Sequence, residues 1–294
     1  MFLNHFEYFA PKTQVETLEL LASLGSKAKI LAGGTDLLIV MKAKAVRPDY
    51  LIDINGVEEF KGIFCEQGKG AVIGTNTKLA EIQFSEAIQA KYPSLAYAAG
   101  EVGSSQVRHM ASLGGNSCNA SPAAETPIPL VALGAKVVLC SISGERELPL
   151  EEFILGVRKL DLAEGEMLTK FILPEPAQKS ASRYAYMGRR DAMEIDCVNM
   201  AVTIELAKDG ETVKDVKLVM GSVYPRPLVS KEVPALLLGQ KLSDQLIEKA
   251  AEAAQGEAKP IDDIRASAEY RREIVKVLAR RLLKEAYTAA KGVN

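Results

Sequence analysis

The sequence predicts an α+β protein made of two parts. Strand and helix patterns alternate through the first half of its 294 residues, and three strand-like runs followed by two helices occupy the second half. A segment rich in proline and serine at positions 175–182 lies between the two parts and is typical of a linker. We therefore expect one domain over residues 1–175 and a second over residues 182–294.

In the first part, short apolar runs bounded by Gly or Pro predict strands, and apolar residues recurring every three or four positions predict helices. Thr13 and Glu16 match a capping box at the start of the first helix, and Gly25 is placed to end it. A hairpin turn is expected at 68–70. The predicted strands are 6–9, 29–32, 50–54, 71–74 and 136–140, and the predicted helices are about 14–24, 37–41, 79–89, 94–101 and 128–133.

The second part is predicted to form an antiparallel sheet with two closing helices. Asp209-Gly210 is a strong signal for a hairpin turn between the last two strands. Ser243 and Ser267 are expected to cap the two helices, and Gly256 to stop the first of them. The predicted strands are 184–187, 198–206 and 213–220, and the predicted helices are about 244–254 and 268–289.

Composition excludes several classes of protein. Apolar residues make up 48% and charged residues 25%, and 36 Lys and Arg against 38 Asp and Glu give a net charge of −2. A near-neutral chain has no overall attraction for nucleic acid or an anionic membrane. No apolar run approaches the roughly 18–20 residues of a membrane-spanning helix, and the first residues lack the pattern of a secretion signal. We expect a cytoplasmic protein.

Cysteine and histidine usage argues against a metal site on this chain. The four cysteines form no C-x-x-C pair, so buried reduced thiols are expected rather than a zinc or iron–sulfur site. Only two histidines are present, and neither belongs to a nucleophile–base arrangement. We therefore predict no catalytic residue, and a bound cofactor would supply the chemistry. The residues concerned are Cys65, Cys118, Cys140, Cys197, His5 and His109.

A first glycine-rich motif, Ala32-Gly33-Gly34-Thr35-Asp36, lies between a predicted strand and a predicted helix. Adjacent glycines allow a ligand to approach the backbone closely, and amides at a helix start favour phosphate groups. Asp36 would cap the helix or accept a hydrogen bond from a ribose hydroxyl. The alternative is a turn that needs glycine for its geometry alone. The motif matches neither the Rossmann G-x-G-x-x-G fingerprint nor a P-loop.

A second motif, Ser112-Leu113-Gly114-Gly115-Asn116, opens a stretch of small and polar residues that extends to position 122 and predicts an irregular loop. So long an irregular stretch in a compact domain is typical of a ligand-binding loop. Its donors and acceptors, together with Glu125, could face the same extended ligand as the first motif.

The two motifs, about 75 residues apart, resemble the FAD-binding motifs of the flavoprotein subunit of molybdenum hydroxylases. That family includes xanthine dehydrogenase, aerobic carbon monoxide dehydrogenase and nicotinate dehydrogenase. The resemblance extends over essentially the whole chain, including 119–125 and 265–271. It implies a two-lobed FAD-binding fold of the vanillyl-alcohol oxidase type, with lobes at about 1–57 and 58–175. It also implies a C-terminal α+β domain with a small antiparallel sheet and helices.

The resemblance also implies which residues bind FAD. The first motif would wrap the pyrophosphate, and the second would follow the ribityl chain and the isoalloxazine ring. Glu125 matches an acidic residue of the family, Leu168 an apolar residue near the flavin ring, and Tyr186 stands where many relatives have a lysine. The residues expected to bind the cofactor are Lys29, Ile30, Leu31, Ala32, Gly33, Gly34, Thr35, Asp36, Leu37, Ser112, Leu113, Gly114, Gly115, Asn116, Cys118, Glu125, Leu168 and Tyr186.

In function, the resemblance implies an electron-transfer subunit. Electrons would pass from two [2Fe–2S] clusters of a small partner subunit, through FAD on this chain, to NAD or another acceptor. A large partner subunit with the molybdenum cofactor would oxidise the substrate. Residues 191–193, beginning with Asp191, and 265–267 look most like the bacterial xanthine dehydrogenase branch. A carbon monoxide or nicotinate dehydrogenase-like complex, a stand-alone FAD-dependent reductase and a non-enzymatic nucleotide-binding module stay open.

Overall fold

A computed structural model describes residues 3–190 and 192–292, so Asp191 lies outside the described residues. Three larger β-sheets, each with its own helices, follow one another along the chain. This arrangement confirms the predicted α+β class.

The first sheet is small and parallel. Its strand order is β1-β3-β2, with the central strand hydrogen-bonded to both neighbours. The first glycine motif connects β2 to α2, so the carboxyl edge of this sheet positions it. The elements are β1 (Glu7–Phe9), α1 (Gln14–Leu24), β2 (Ala28–Leu31), α2 (Leu37–Lys42) and β3 (Tyr50–Asp53), with short 3₁₀ turns at Gly25–Lys27, Ile54–Gly56 and Glu58–Phe60.

The second sheet is antiparallel, in the order β4-β5-β10-β6-β7, and is accompanied by short helices. Strand β10 returns from the end of the region to pair between β5 and β6, which closes the lobe. A two-stranded ribbon, β8–β9, stands apart from it. The elements are β4 (Ile63–Glu66), β5 (Gly70–Gly74), α3 (Leu79–Phe84), α4 (Glu86–Lys91), α5 (Pro93–Glu101), α6 (Ser105–Met110), α7 (Leu113–Cys118), α8 (Pro127–Ala132), β6 (Lys136–Ser141), β7 (Gly144–Pro149), α9 (Leu150–Phe153), β8 (Ile154–Gly156), β9 (Lys159–Leu160) and β10 (Met167–Leu173).

The third sheet is antiparallel, in the order β11-β12-β13-β14, and carries the longest helices on one face. Ser243 and Ser267 cap α11 and α12 through their hydroxyl oxygens, as predicted. The elements are β11 (Ser180–Met187), β12 (Val198–Leu206), β13 (Val213–Gly221), β14 (Leu228–Val229), α10 (Glu232–Leu237), α11 (Asp244–Glu257) and α12 (Ala268–Ala290).

Apolar packing joins the three sheets. Ile52 of β3 and Phe60 of the 3₁₀ turn Glu58–Phe60 pack with Val138 of the second sheet in one buried cluster. Ala201 and Val219, on one face of the third sheet, belong to the core of the second lobe. The opposite face of the third sheet packs against α11 and α12. The segments that line the cleft described below are therefore held on a packed framework.

Several elements differ from the sequence prediction, and the following differences have a clear physical cause or bear on the domain boundary. The helix expected over 79–89 is interrupted at Ser85, whose hydroxyl caps α4, and the helix α6 was not predicted. Strand β11 begins at Ser180, inside the segment predicted as a linker. Gly256 does not stop α11, because the Glu257 carboxylate accepts hydrogen bonds from the Ser230 hydroxyl and the Lys231 amide and so holds the last turn.

Candidate functional site

The two glycine motifs face each other across one cleft of about 620 Å³. They are also in direct contact, because the Asn119 amide, just after the second motif, donates to the Asp36 carboxylate at 3.1 Å. A second contact, between Gly33 and the backbone of Met110, is tighter. A Cβ built on Gly33 would lie 2.0 Å from the carbonyl oxygen of Met110, so only glycine permits this approach of the two segments.

The first motif presents unused backbone donors to the cleft. Within the described part of the chain, the amides of residues 33–36 donate no hydrogen bond, and all four residues line the cleft. Gly34 has a φ of +72°, a conformation that glycine adopts without strain. Asp36 occupies the N-cap position of α2, but its side chain makes no capping bond. Of the two roles expected for Asp36, helix capping is therefore wrong, because its carboxylate accepts from Asn119, whereas the bond to a ribose hydroxyl stays a prediction.

The second motif was predicted as an irregular loop but forms the short helix α7. The Ser112 hydroxyl caps it by accepting from the Gly115 amide at 3.1 Å. The Leu113 amide donates to the Thr77 carbonyl and the Gly114 amide to the Thr75 carbonyl, so the first turn has partners outside the helix. These external bonds offset the low helix propensity of two adjacent glycines. Consequently, the second motif offers shape and side chains, whereas free amides come from the first.

A buried network behind the motifs fixes their relative position. Asn55 donates to the Ala32 carbonyl at 2.8 Å and accepts from the Lys78 ammonium at 2.9 Å. Lys78 also contacts Asn76 at 3.1 Å, and its backbone bridges to Ser112 at the start of the second motif. Burial lowers the pKa of Lys78. One side chain, Asn55, thus connects the first motif to Lys78, whose backbone pairs with the start of the second motif.

Acidic and basic groups share the cleft wall. Burial raises the pKa of Asp36, and the positive charge of Arg158 opposes this rise. Burial likewise raises the pKa of Glu125 to about 7, with a hydrogen bond from the Asn116 side chain acting in the opposite direction. Lys29 also lines the cleft.

The segment between β11 and β12 reaches the cleft from the third sheet. Ile195 lines it and is about half exposed. The next residue, Asp196, is buried, and its carboxylate accepts hydrogen bonds from Tyr184 at 3.3 Å and Asn199 at 2.9 Å. Burial raises the pKa of Asp196 to about 8. Arg271 of α12 holds the same segment by donating to the Cys197 carbonyl at 2.8 Å.

Most residues predicted to bind a cofactor line this cleft. The exceptions are Leu31, Leu113 and Tyr186. The Tyr186 hydroxyl donates to the Glu101 carboxylate at 2.6 Å, and its ring packs against the core of the second lobe. The predicted residues on the cleft wall are Lys29, Ile30, Ala32, Gly33, Gly34, Thr35, Asp36, Leu37, Ser112, Gly114, Gly115, Asn116, Cys118, Glu125 and Leu168.

Several lining residues were not found from the sequence. Arg158 and Ile195 line the cleft from segments without any recognisable motif, and Asn55 acts from behind it. Local patterns gave no signal for them, because their role depends on contacts between distant segments. Within residues 3–190 and 192–292, no group of three or more His, Cys, Asp or Glu could hold a metal ion. None of the helices in that part of the chain is long and apolar enough to cross a membrane.

Comparison with known proteins assigns the family. Residues 4–176 match the family described as FAD binding domain in molybdopterin dehydrogenase, and residues 182–286 match the CO dehydrogenase flavoprotein C-terminal domain. The chain is 33% identical to the carbon monoxide dehydrogenase medium chain of Hydrogenophaga pseudoflava, covering 96% of this chain and 97% of that one. It is 29% identical to the xanthine dehydrogenase FAD-binding subunit of Escherichia coli O157:H7, covering 97% of both.

Solved structures agree over the whole length. The carbon monoxide dehydrogenase of Hydrogenophaga pseudoflava superposes with a TM-score of 0.93 at 32% identity, covering 98% of this chain and 99% of that one. Quinoline 2-oxidoreductase from Pseudomonas putida 86 gives a TM-score of 0.91 at 26% identity, covering 99% and 100%. The family matches and the full-length relatives together show that this chain belongs to the FAD-binding medium-chain subunits of the molybdenum hydroxylases.

Proposed function

We propose that this chain binds one FAD in the cleft between the two glycine motifs and acts as the electron-transfer subunit of a molybdenum hydroxylase. The observation that carries the proposal is the pairing of free amides at residues 33–36 with a glycine-lined wall across the same cleft. A volume of about 620 Å³ suits a large cofactor, since such sites span roughly 300–1,000 Å³.

The residues fit the parts of FAD by their chemistry. Free amides at a strand–helix turn suit a pyrophosphate, which carries negative charge and many acceptor oxygens. Gly115 leaves space for the ligand. A Cβ at this position would contact only the Ser112 hydroxyl, at 3.0 Å, so a larger side chain here would extend into the cleft. Apolar side chains such as Val107, Leu168 and Ile195 provide the contacts that a flat ring system needs.

FAD, when bound, supplies two-electron chemistry that can also proceed one electron at a time. The chain's own contribution is to hold the cofactor, exclude water from it and set the charge around it. Ile195 covers part of the cleft from the third sheet, and Arg271 keeps that segment in place. In our proposal, residues 1–175 form the FAD-binding domain, and residues 182–294 form a second domain that contributes Ile195.

The proposed partners are a large subunit with the molybdenum cofactor and a small subunit with two [2Fe–2S] clusters, in a cytoplasmic complex that transfers electrons to NAD or another acceptor. A xanthine dehydrogenase-like complex is the proposed type, with a carbon monoxide or nicotinate dehydrogenase-like complex as the alternative. Relatives carrying each of these names match this chain over at least 95% of its length, which supports all three types.

The purified full chain tests cofactor binding. It should carry a flavin absorbance spectrum, release one FAD per chain on denaturation, and co-purify with a molybdenum subunit and an iron–sulfur subunit. Gly115→Val should abolish flavin retention while keeping the far-ultraviolet circular dichroism of the wild type. A colourless wild-type chain that ignores added FAD would refute the proposal. Anaerobic addition of NADH tests the acceptor: bleaching of the flavin supports NAD, and an unchanged spectrum supports another acceptor.

A further inference from the structure

Arg158 is a cleft residue to which neither the sequence motifs nor the family match assigns a role. It stands at the tip of the β8–β9 ribbon, well away in sequence from both glycine motifs, and is an exposed residue that lines the cleft. Among the described residues, its guanidinium forms no hydrogen bond or salt bridge with the protein. Arg146 provides a contrast, because it is bonded to both Asp161 and Glu166.

The backbone at Arg158 is held by the stretch that follows the second motif. Its amide donates to the carbonyl oxygen of Ala120 at 3.0 Å, and both residues have a positive φ, +53° for Arg158 and +46° for Ala120. Such backbone conformations are strained for side chains other than glycine and persist where the surrounding structure holds them. The ribbon tip is therefore attached to Ala120, two residues beyond the end of α7, and this contact places Arg158 on the cleft wall.

The charges of the cleft explain what this side chain can bind. In the described part of the chain, the cleft is lined by three acidic residues, Asp36, Glu125 and Glu166. Two basic residues, Lys29 and Arg158, also line it. Glu166 is already paired with Arg146. A pyrophosphate on the amides of residues 33–36 would lie beside the Asp36 carboxylate, which repels it. Arg158, close enough to act on Asp36, is placed to offset that repulsion.

We propose that Arg158 binds the pyrophosphate of the dinucleotide and makes the cleft selective for FAD over flavins that lack this group. The inference rests on the proposed FAD site. A guanidinium forms strong, paired hydrogen bonds with phosphate oxygens, so its removal should weaken dinucleotide binding about ten- to one-hundredfold. Binding of riboflavin, which has no phosphate, should not change.

The test compares three variants of the full chain by quenching of flavin fluorescence. Arg158→Asn removes the charge, and asparagine tolerates a positive φ, so the backbone bond to Ala120 is kept. Arg158→Lys retains the charge and should restore part of the affinity. Lys159→Gln is the matched control, since this cation lies on the same ribbon but does not line the cleft. Each protein is titrated with FAD and with riboflavin at low and at high salt, and ADP is used as a competitor.

We expect R158N to bind FAD and ADP more weakly, with a shallower dependence of affinity on salt, and to bind riboflavin as the wild type does. K159Q should bind all three ligands with wild-type affinity. R158N with wild-type FAD affinity would overturn the role of Arg158 and leave the proposed function standing. Equal weakening for riboflavin would also overturn it, because it would indicate a general effect on the cleft. A wild-type chain that binds no FAD would refute the proposed function itself.

Discussion

Gly33→Ala is the most direct test of how the two motifs form one site. Gly33 does not have a positive φ, so alanine adds no backbone strain and the substitution changes only the space between the motifs. The new Cβ would lie 2.0 Å from the Met110 carbonyl oxygen, 2.5 Å from its carbonyl carbon and 2.9 Å from Cα of Ala111. All three atoms are backbone, and no flexible side chain can move aside.

The size of the effect follows from this distance. The closest ordinary contact between carbon and a carbonyl oxygen is about 3.3 Å, so the motifs must separate by roughly 1.3 Å. Overpacking of this kind costs about 1–3 kcal/mol, which corresponds to a roughly 5- to 150-fold loss of FAD affinity if the closed cleft bears the cost. The hydrogen bond between Asn119 and Asp36, 3.1 Å long, should be lost with it.

FAD titration and thermal unfolding of the purified chain measure both consequences. Gly156→Ala is the matched control, because its Cβ would have no heavy atom within 4 Å and its φ is not positive. We expect this control to keep the wild-type FAD affinity and to change stability by less than about 0.5 kcal/mol. A Gly33→Ala protein that binds FAD within twofold of the wild type and melts at the same temperature would refute the reasoning.

Three further predictions concern the framework of the cleft. Asn55→Ala leaves the Ala32 carbonyl without its side-chain donor and removes one of the two acceptors of the Lys78 ammonium, so it should weaken FAD binding by about tenfold, measured by flavin release. Unchanged release would show that this network does not position the motif. Arg271→Gln removes donors to two buried carbonyls and should lower the free energy of unfolding, measured in urea, by about 3 kcal/mol. Replacement of the exposed neighbour, Arg272→Gln, should change this free energy by less than about 0.5 kcal/mol. The pKa of Asp196 is raised to about 8 and that of Glu125 to about 7, so the folded chain binds protons more tightly than the unfolded chain. The free energy of unfolding should therefore fall as pH rises from the ordinary pKa range of these acids toward 8. Asp196→Asn should flatten this fall in melting temperature, and a slope identical to that of the wild type would contradict the assignment.

Elements with complete local signals could be predicted from the sequence. Strand β12, Val198–Leu206, has its predicted bounds because it is a long apolar run that ends shortly before the Asp209-Gly210 turn. The hydroxyl caps at Ser243 and Ser267 were equally clear, since a cap is decided by residues within one turn of the helix. Gly256 failed as a stop signal for the opposite reason, because Glu257 is held by groups near position 230.

The site was predictable in its two motifs but not in its other parts. The motifs are contiguous, so a short stretch of sequence carries each of them. Asn55, Arg158 and Ile195 reach the cleft from three separate segments, and each is an ordinary polar, basic or apolar residue in its local context. Tyr186 shows the opposite case: its position in the sequence suggested the cleft, yet its hydroxyl bonds to Glu101 instead.

The paired glycines have a more specific explanation in the structure than in the sequence. In each pair, the first glycine is required by a contact within the protein, since a Cβ on Gly114 would lie 1.8 Å from the Thr75 hydroxyl and one on Gly33 would meet Met110. The second members differ from each other: Gly34 has a positive φ, and a Cβ there would lie 2.9 Å from a methyl carbon of Leu38, whereas a Cβ on Gly115 would meet only the Ser112 hydroxyl. Three of the four glycines are therefore required by contacts or backbone conformation within the protein, and the fourth, Gly115, borders the cleft. Replacing Gly33, Gly34 or Gly114 should therefore lower the stability of the chain without FAD as well as impair binding, whereas replacing Gly115 should mainly impair binding.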